Sequence, residues 1–313
     1  MSAADPAGAR LAPADLDPDV PRLWRLSDLL ADLLDEAELQ HAALESGTPL
    51  GPVTGLPKLD RELAGRLVPG FHVVHGNTAA GKTSFALQVA ATCGAPALFV
   101  TCEMAPVELL RRVIARAAGV YLGRLKSGEL SRAAVAEAAG RALTTCGPLA
   151  ILDGTRAYVT PERIREHAEA WRDAQAAAHV LVVVDSLHAW AGGAPAFADF
   201  GEYEALGAAV LDVQRMAAHL GAPVVVVTER NRSSADTGGV NAAAGSRKVE
   251  YGAETVLGLY RETTKGDDGK PRPKPFDATG EVGAHVLIEK NRHGAGGRVD
   301  LRFHGALQRF TEA

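Results

Sequence analysis

Short apolar runs alternate along most of this chain with longer stretches whose apolar residues recur at helical spacing. The apolar runs predict strands at 97–101, 149–152, 180–184, 223–227, 255–259 and 286–289. The stretches between them predict helices at 106–117, 131–143, 161–177 and 203–220, and Thr160 followed by Pro161 is a typical helix start. This alternation indicates an α/β fold, with a mostly parallel sheet and helices on both faces. A final strand, 298–303, is predicted to close the sheet in antiparallel orientation.

The segment ahead of these elements has a different pattern. Residues 1–20 are rich in Ala, Pro and Asp without periodicity, so we expect a disordered tail there. Leucines then recur mostly at helical spacing from residue 23 to 44, which predicts an amphipathic helix with Ser27 as its cap. The Gly and Pro residues of 47–52 are typical of a linker. We therefore divide the chain into a tail (1–20), a linker helix (21–50) and a main domain (51–313).

Composition limits the possible partners and the compartment. The chain has 313 residues, 47% of them hydrophobic, which suffices for one large α/β domain and a small appendage. Its net charge of −5 gives no general attraction for nucleic acid, so any such binding must come from local loops or an assembled pore. Cys93, Cys102 and Cys146 lack metal-ligand spacing and are typical of reduced thiols. With neither a secretion signal nor a membrane-length apolar run, we expect a cytoplasmic protein without membrane contact.

The most specific motif follows the predicted strand 71–75, which contains Phe71, Val73 and Val74. Gly76 and Gly81 lie in the pattern G-x-x-x-x-G-K-T, where glycines permit a tight turn whose amide groups point at phosphate oxygens beside a helix N-terminus. Lys82 can reach the β- and γ-phosphates, and the Thr83 hydroxyl can ligate Mg²⁺. A nucleoside triphosphate site is predicted, with a flexible Gly-rich turn as the alternative. Its expected ATP-binding residues are Gly76, Asn77, Thr78, Ala79, Ala80, Gly81, Lys82, Thr83 and Ser84, together with Glu229 after the strand 223–227.

Two acids follow predicted strands and extend this site. Asp185 comes directly after 180–184, where a P-loop ATPase holds its Mg²⁺, so we expect it to act with Thr83 at the metal. Glu103 follows the strand 97–101 and can orient and deprotonate the attacking water, because the carboxyl ends of parallel strands open onto one crevice. A Glu that only caps the next helix is the alternative for Glu103.

Basic residues flank a long segment of small and polar residues after the strand 223–227. A loop of this length inside a compact domain is functional or disordered. We expect sequence-independent contacts between this segment and the phosphates of single-stranded DNA, with a mobile surface loop as the alternative. The candidate DNA-binding residues are Arg230, Arg232, Arg247 and Lys248.

A second basic cluster, Lys290 and Arg292, lies at the end of the strand 286–289 with Gly294 nearby. In this position the two cations could complete the phosphate site of a neighbouring subunit, where they would stabilise negative charge in the transition state. A solvated basic turn is the alternative. No acid is directly adjacent to Arg292 in the sequence. His75, His188 and His293 lack ligand spacing, so we expect them to be structural.

Taken in order, these motifs resemble the RecA-like motor domain of DnaB-type replicative helicases. The resemblance covers most of the chain and is carried by 54–60, Gly81 to Ser84, Cys102 to Met104, Val184-Asp185, 231–233, 256–261 and 289–294. It implies Lys82 and Thr83 at phosphate and Mg²⁺, Glu103 as catalytic base, Asp185 at the metal, and Lys290 with Arg292 as trans-acting finger residues. It also implies a ring hexamer that hydrolyses ATP at subunit interfaces and moves 5′ to 3′ on single-stranded DNA.

The chain departs from that family pattern in two ways. Such helicases usually carry a Gln, thought to sense the γ-phosphate, where this chain has Glu229; an acid there repels nucleotide unless it is protonated or paired, for example with Arg230. Only about twenty residues precede the linker helix, so we expect no primase contact through the family's N-terminal domain. The second hypothesis is therefore a RecA-, RadA- or KaiC-like regulatory or scaffold ATPase that unwinds no duplex.

Overall fold

The computed structural model describes residues 23–229, 251–265 and 271–313. Its strands are β1 (Gly70–Gly76), β2 (Ala97–Thr101), β3 (Leu149–Asp153), β4 (Leu181–Asp185), β5 (Pro223–Glu229), β6 (Thr255–Arg261), β7 (Thr263–Lys265), β8 (Pro271–Pro273), β9 (Glu281–Asn291), β10 (Gly297–His304) and β11 (Arg309–Glu312). Nine of these described strands form one sheet in the order β11-β10-β9-β6-β1-β5-β4-β2-β3, and β7 pairs with β8.

Parallel pairing covers two thirds of the main sheet and aligns the strand ends. In the part of the sheet ordered β3-β2-β4-β5-β1-β6, every pair of neighbouring strands is parallel. The pairs β6-β9, β9-β10 and β10-β11 are antiparallel. Gly76 at the end of β1 is in register with Glu229 at the end of β5, and Thr101 at the end of β2 is in register with Asp185. The carboxyl ends of these strands therefore lie together at one edge, where ligands bind in open α/β sheets.

The described helices are α1 (Leu26–Ser46), α2 (Pro57–Glu62), α3 (Lys82–Thr92), α4 (Pro106–Ala118), α5 (Leu122–Ser127), α6 (Arg132–Thr145), α7 (Pro161–Ala174), α8 (Leu187–Gly192) and α9 (Glu202–Leu220). Thr160 caps α7 by accepting a hydrogen bond from the Arg163 amide, as the Thr-Pro pair predicts. A mostly parallel α/β sheet is confirmed.

Two apolar layers cover the sheet. One contains α3 and the inner residues of β9 and β10, and the other packs α7 and α9 against β4 and β5. In the first layer Phe85 of α3 meets the edge of Phe310 in β11, with ring centres 5.6 Å apart. The Gln88 side chain donates to the Phe310 carbonyl at 2.9 Å and accepts from its amide at 2.8 Å. These contacts hold the start of α3, and therefore the phosphate loop, against the last strand.

Helix α1 is the longest described helix, and none of its residues is buried. Leu26 is 88% exposed, and Leu30, Leu33 and Leu34 are also exposed. The Ser27 cap prediction is wrong: α1 starts after Arg25 without a side-chain cap, and the Ser27 hydroxyl donates to Asp28 instead. Within the described ranges, no helix is both long and apolar enough to span a membrane.

Candidate functional site

The loop between β1 and α3 depends on glycine at both fixed positions. A Cβ on Gly76 would lie 2.3 Å from the carbonyl oxygen of Leu259, inside van der Waals contact. Gly81 has a φ of 94°, which disfavours any residue with a side chain, and α3 starts at the next residue. The loop therefore turns sharply and presents the amide groups at the start of α3 to the space above the sheet.

Lys82 is the first residue of α3, and its side chain is folded back over the loop. Its Nζ donates to the carbonyls of Gly76 at 3.1 Å and Asn77 at 3.3 Å, and it lies 3.8 Å from Oε1 of Glu229. Burial lowers the pKa of Lys82, opposed by the negative charges of Glu229, Asp185 and Glu103. The ammonium group is thus held in a nearly buried place by carbonyl and carboxylate oxygens, which phosphate oxygens can replace.

Asp185 lies at the end of β4, next to Thr83 in the first turn of α3. Burial raises the pKa of Asp185 to about 6, a hydrogen bond from Thr83 opposes this, and the charge of Glu103 adds to it. A hydroxyl and a carboxylate are the oxygen ligands that Mg²⁺ takes when phosphates supply further ligands. The residues present therefore fit a Mg²⁺ ion bound together with a nucleotide, which would also relieve the cost of burying the charged Asp185.

Glu103 follows β2 and faces the same space. Its Oε1 accepts a hydrogen bond from the hydroxyl of Ser186, the residue after Asp185. It does not cap the following helix, because α4 starts after Ala105. The alternative of a capping Glu is therefore wrong for this structure, and the carboxylate is directed into the crevice.

These residues line one cavity of about 300 Å³. The sequence analysis did not expect several residues of the cavity wall, among them Arg112 of α4, Phe303 of β10 and Gln308 of the last hairpin. Arg112 donates to the Ser84 hydroxyl at 3.1 Å and to Oε1 of Gln308, and Ser84 donates to the same Gln308 oxygen at 2.7 Å. These contacts join α3, α4 and the last hairpin, and no local motif in the sequence signals them.

Lys290 and Arg292 lie at the other end of the sheet. β9 runs antiparallel to β6, so Lys290 is opposite Val256 near the amino end of β6. Both side chains donate to the carbonyl of Tyr251, and Arg292 also lies 3.4 Å from Glu254. From the strand rise, Arg292 is on the order of 15 Å from the phosphate loop of its own chain. Glu254 pairs with Arg292 in space although the two residues are 38 positions apart in the sequence.

The structure describes the three predicted structural histidines and Glu229, but not the candidate DNA-binding residues. His75 bonds to Glu289 at 2.8 Å, His188 to Thr228 at 3.1 Å and His293 to Glu254 at 2.8 Å, which agrees with structural roles. Glu229 lines the cavity opposite Lys82. The candidate DNA-binding residues Arg230, Arg232, Arg247 and Lys248 lie outside the described residues.

Comparison with known proteins assigns the family. The sequence profile of the DnaB-like helicase C terminal domain matches residues 51–312. The chain belongs to this family.

Two curated relatives illustrate how far the similarity extends. The replicative DNA helicase DnaB of Haemophilus influenzae is 27% identical over 273 residues, which is 83% of this chain and 55% of that protein. The DnaB of Leifsonia xyli is 27% identical over 285 residues, which is 88% of this chain and 59% of that protein. The chain thus spans little more than half the length of these relatives.

Solved structures agree with the DnaB-like fold. A solved ATPase domain superposes with a TM-score of 0.74 at 21% identity, covering 91% of this chain and 98% of that one. A DnaB-like replicative helicase, studied for its interactions with primase, gives 0.70 at 20% identity, covering 92% and 72%. A KaiC-like protein from Pyrococcus horikoshii gives 0.52 at 19% identity, covering 83% and 97%.

The raised pKa of Asp185 gives this DnaB-like domain a testable pH dependence. The Asp185 carboxyl binds its proton more tightly in the folded protein than in the unfolded chain. The stabilisation that comes from this protonated carboxyl is therefore present below about pH 4 and is lost as pH rises through about 6. Asp185→Asn should therefore raise the free energy of unfolding by about 1–3 kcal/mol at neutral pH, and by less at about pH 5. Urea unfolding without nucleotide and Mg²⁺ measures both values.

Asp153 is the matched control, because it ends another parallel strand of the sheet, β3, but is not buried. Hydrogen bonds from Thr155 hold its pKa below the ordinary range. Its contribution is therefore present at neutral pH and lost as pH falls, so Asp153→Asn should lower stability. If both variants shift stability in the same direction at neutral pH, burial of the Asp185 charge is not the cause.

Proposed function

We propose that this chain is the motor domain of an ATP-dependent DNA helicase or translocase that hydrolyses ATP at the interfaces of a homo-hexameric ring. The observation that carries the proposal is the division of the site between the two ends of the sheet. Lys82, Asp185 and Glu103 surround one cavity at the carboxyl ends of the parallel strands. Lys290 and Arg292 lie at the amino ends, where they can serve a cavity only in another copy.

The cavity residues have separate roles in this proposal. The loop amides and Lys82 bind the phosphates of ATP, and Thr83 and Asp185 hold Mg²⁺, which neutralises charge on the phosphate oxygens when bound. Glu103 accepts a proton from the attacking water, with Ser186 orienting its carboxylate. Lys290 and Arg292 of a neighbouring copy stabilise the charge that develops on the transferred phosphate.

DNA-stimulated ATPase activity tests this function most directly. We expect hydrolysis that depends on Mg²⁺ and rises when single-stranded DNA is added, in a particle whose native mass with ATP corresponds to six copies. Strand displacement on forked duplexes with a 5′ or a 3′ tail then reports polarity, for which family resemblance favours 5′ to 3′. ATPase activity that single-stranded DNA does not raise, without strand displacement, would favour the second candidate described below.

Helix α1 provides a prediction about assembly. Its exposed leucines need a surface to cover them, and a Gly/Pro linker separates it from the main domain. Glu36 of α1 forms an ion pair with Arg66 of the main domain at 3.4 Å. Deleting residues 1–46 should therefore weaken the ring, measured by native mass over a dilution series. A truncated chain that stays fully hexameric at equal concentration would show that α1 does not join subunits.

The basic residues around 230–248 provide a prediction about DNA. Neutralising Arg232 and Arg247 together should weaken binding to single-stranded DNA and lower the slope of log affinity against log salt by about 0.7 for each lost phosphate contact. Basal ATPase and ring formation should stay near parental values, because in this proposal the segment contacts DNA and not ATP. Unchanged affinity at low and high salt would exclude this segment as the DNA contact.

A second candidate function is a regulatory ATPase in which nucleotide controls assembly without unwinding. The observation that favours it is Glu229, an acid beside Lys82 in the phosphate cavity. An acid in this place opposes tight triphosphate binding, which a motor needs in every cycle. The DNA-stimulated ATPase measurement separates the two candidates.

A further inference from the structure

Glu229 is an unusual residue in the wall of a phosphate site. It ends β5, directly opposite Gly76 at the start of the loop, and its side chain lines the cavity. Its Oε1 lies 3.8 Å from Nζ of Lys82, the cation that binds phosphate in this motif. The Lys82 side chain is only 10% exposed, whereas that of Glu229 is 58% exposed. A largely buried ammonium thus has a carboxylate partner that reaches it from the solvent side.

This pair balances charge within the cavity. The Lys82 ammonium donates to the carbonyls of Gly76 and Asn77, which are dipoles without net charge. Of the three nearby acids, Glu229 does most to keep Lys82 protonated, followed by Asp185 and Glu103. When phosphate oxygens take over Lys82, the Glu229 carboxylate loses its partner and faces added negative charge across the cavity.

We infer that Glu229 makes the site discriminate against nucleoside triphosphates relative to diphosphates, because it competes with the γ-phosphate for Lys82. The inference rests on the proposed nucleotide site. The loop amides and the start of α3 bind the β-phosphate, which both nucleotides share. The γ-phosphate adds negative charge on the side where Lys82 and Glu229 meet, so the repulsion falls mainly on the triphosphate.

The test compares two nucleotides on three proteins. Dissociation constants for ADP and for a non-hydrolysable ATP analogue, both with Mg²⁺, are measured by calorimetry for the parent, Glu229→Gln and Glu202→Gln. Glu229→Gln should bind the ATP analogue about tenfold more tightly and ADP less than about threefold more tightly. Glu202→Gln removes the same charge from the start of α9, at a residue that the structure does not pair with Lys82, and should leave the ratio of the two constants unchanged.

The possible outcomes separate this inference from the proposed function. Equal tightening for both nucleotides, no change, or weaker binding of the ATP analogue by Glu229→Gln overturns the inference while the nucleotide site stands. A change in ratio for Glu202→Gln as large as that for Glu229→Gln also overturns it, because net charge alone then explains the effect. If neither nucleotide binds the parent, and Lys82→Ala behaves the same, the proposed nucleotide site itself fails. Thermal unfolding of each variant shows that the fold is intact.

Discussion

Glu103→Gln should lower ATP turnover by about 10²–10⁴-fold while nucleotide still binds. Gln keeps the size of the side chain and can still accept a hydrogen bond from Ser186, the partner seen in the structure. It cannot accept a proton from water at neutral pH. Steady-state hydrolysis and equilibrium binding of ATP, measured on the same preparation, separate the loss of the chemical step from loss of binding.

Lys82→Ala is the comparison for this result. It removes the ammonium group from the phosphate cavity, so both binding and hydrolysis should be lost. A Glu103→Gln protein that hydrolyses ATP at close to the parental rate would show that another group takes the proton. A Glu103→Gln protein that has lost nucleotide binding as completely as Lys82→Ala would show instead that Glu103 maintains the shape of the cavity.

Arg292→Ala should lower hydrolysis by about 10³-fold or more with nucleotide binding retained, because a finger residue acts on charge in the transition state. The structure supplies the reason for expecting action between copies: Arg292 lies with Glu254 and Tyr251 at the end of the sheet opposite its own phosphate cavity. Mixing Arg292→Ala with Lys82→Ala protein should restore activity, because some interfaces then combine an intact loop with an intact finger.

The mixing experiment predicts how much activity returns, and it has a control variant. At equal proportions and random assembly, about a quarter of interfaces regain both halves, so activity should peak at intermediate ratios and approach that fraction of the parental value. Arg298→Ala removes an exposed arginine of the same sheet, paired with Asp300, and should remain near parental activity. Mixtures that stay inactive at every ratio despite demonstrated co-assembly would place Arg292 outside the neighbouring site.

The bounds of the parallel strands could be predicted from the sequence more accurately than those of the antiparallel strands. β2 has the predicted bounds because a fully buried parallel strand is a continuous apolar run. β9 spans Glu281–Asn291 rather than 286–289, because one face is exposed and its apolar residues alternate with polar ones. β11 was missed because Arg309–Glu312 contains a single apolar residue, Phe310, and its pairing is long-range.

The same distinction applies to the candidate site. Lys82, Thr83, Asp185 and Glu103 each follow a local signal, a glycine pattern or an acid after an apolar run, and the structure brings them to one cavity. Arg112 and Gln308 meet across 196 positions of the chain, and the pairing of Lys82 with Glu229 joins the start of α3 to the end of β5. Such contacts depend on how the sheet is assembled, and periodicity and spacing carry no information about them.

The placement of two half-sites at opposite ends of one sheet has a consequence for any assembly built from it. In the proposed arrangement each interface is head-to-tail, so one copy contributes its cavity and the next contributes Lys290 and Arg292. An open row of copies then always has one complete catalytic site fewer than it has subunits. Only closure gives every subunit a working partner, so specific activity per subunit rises with the length of the row and reaches its maximum in the closed ring.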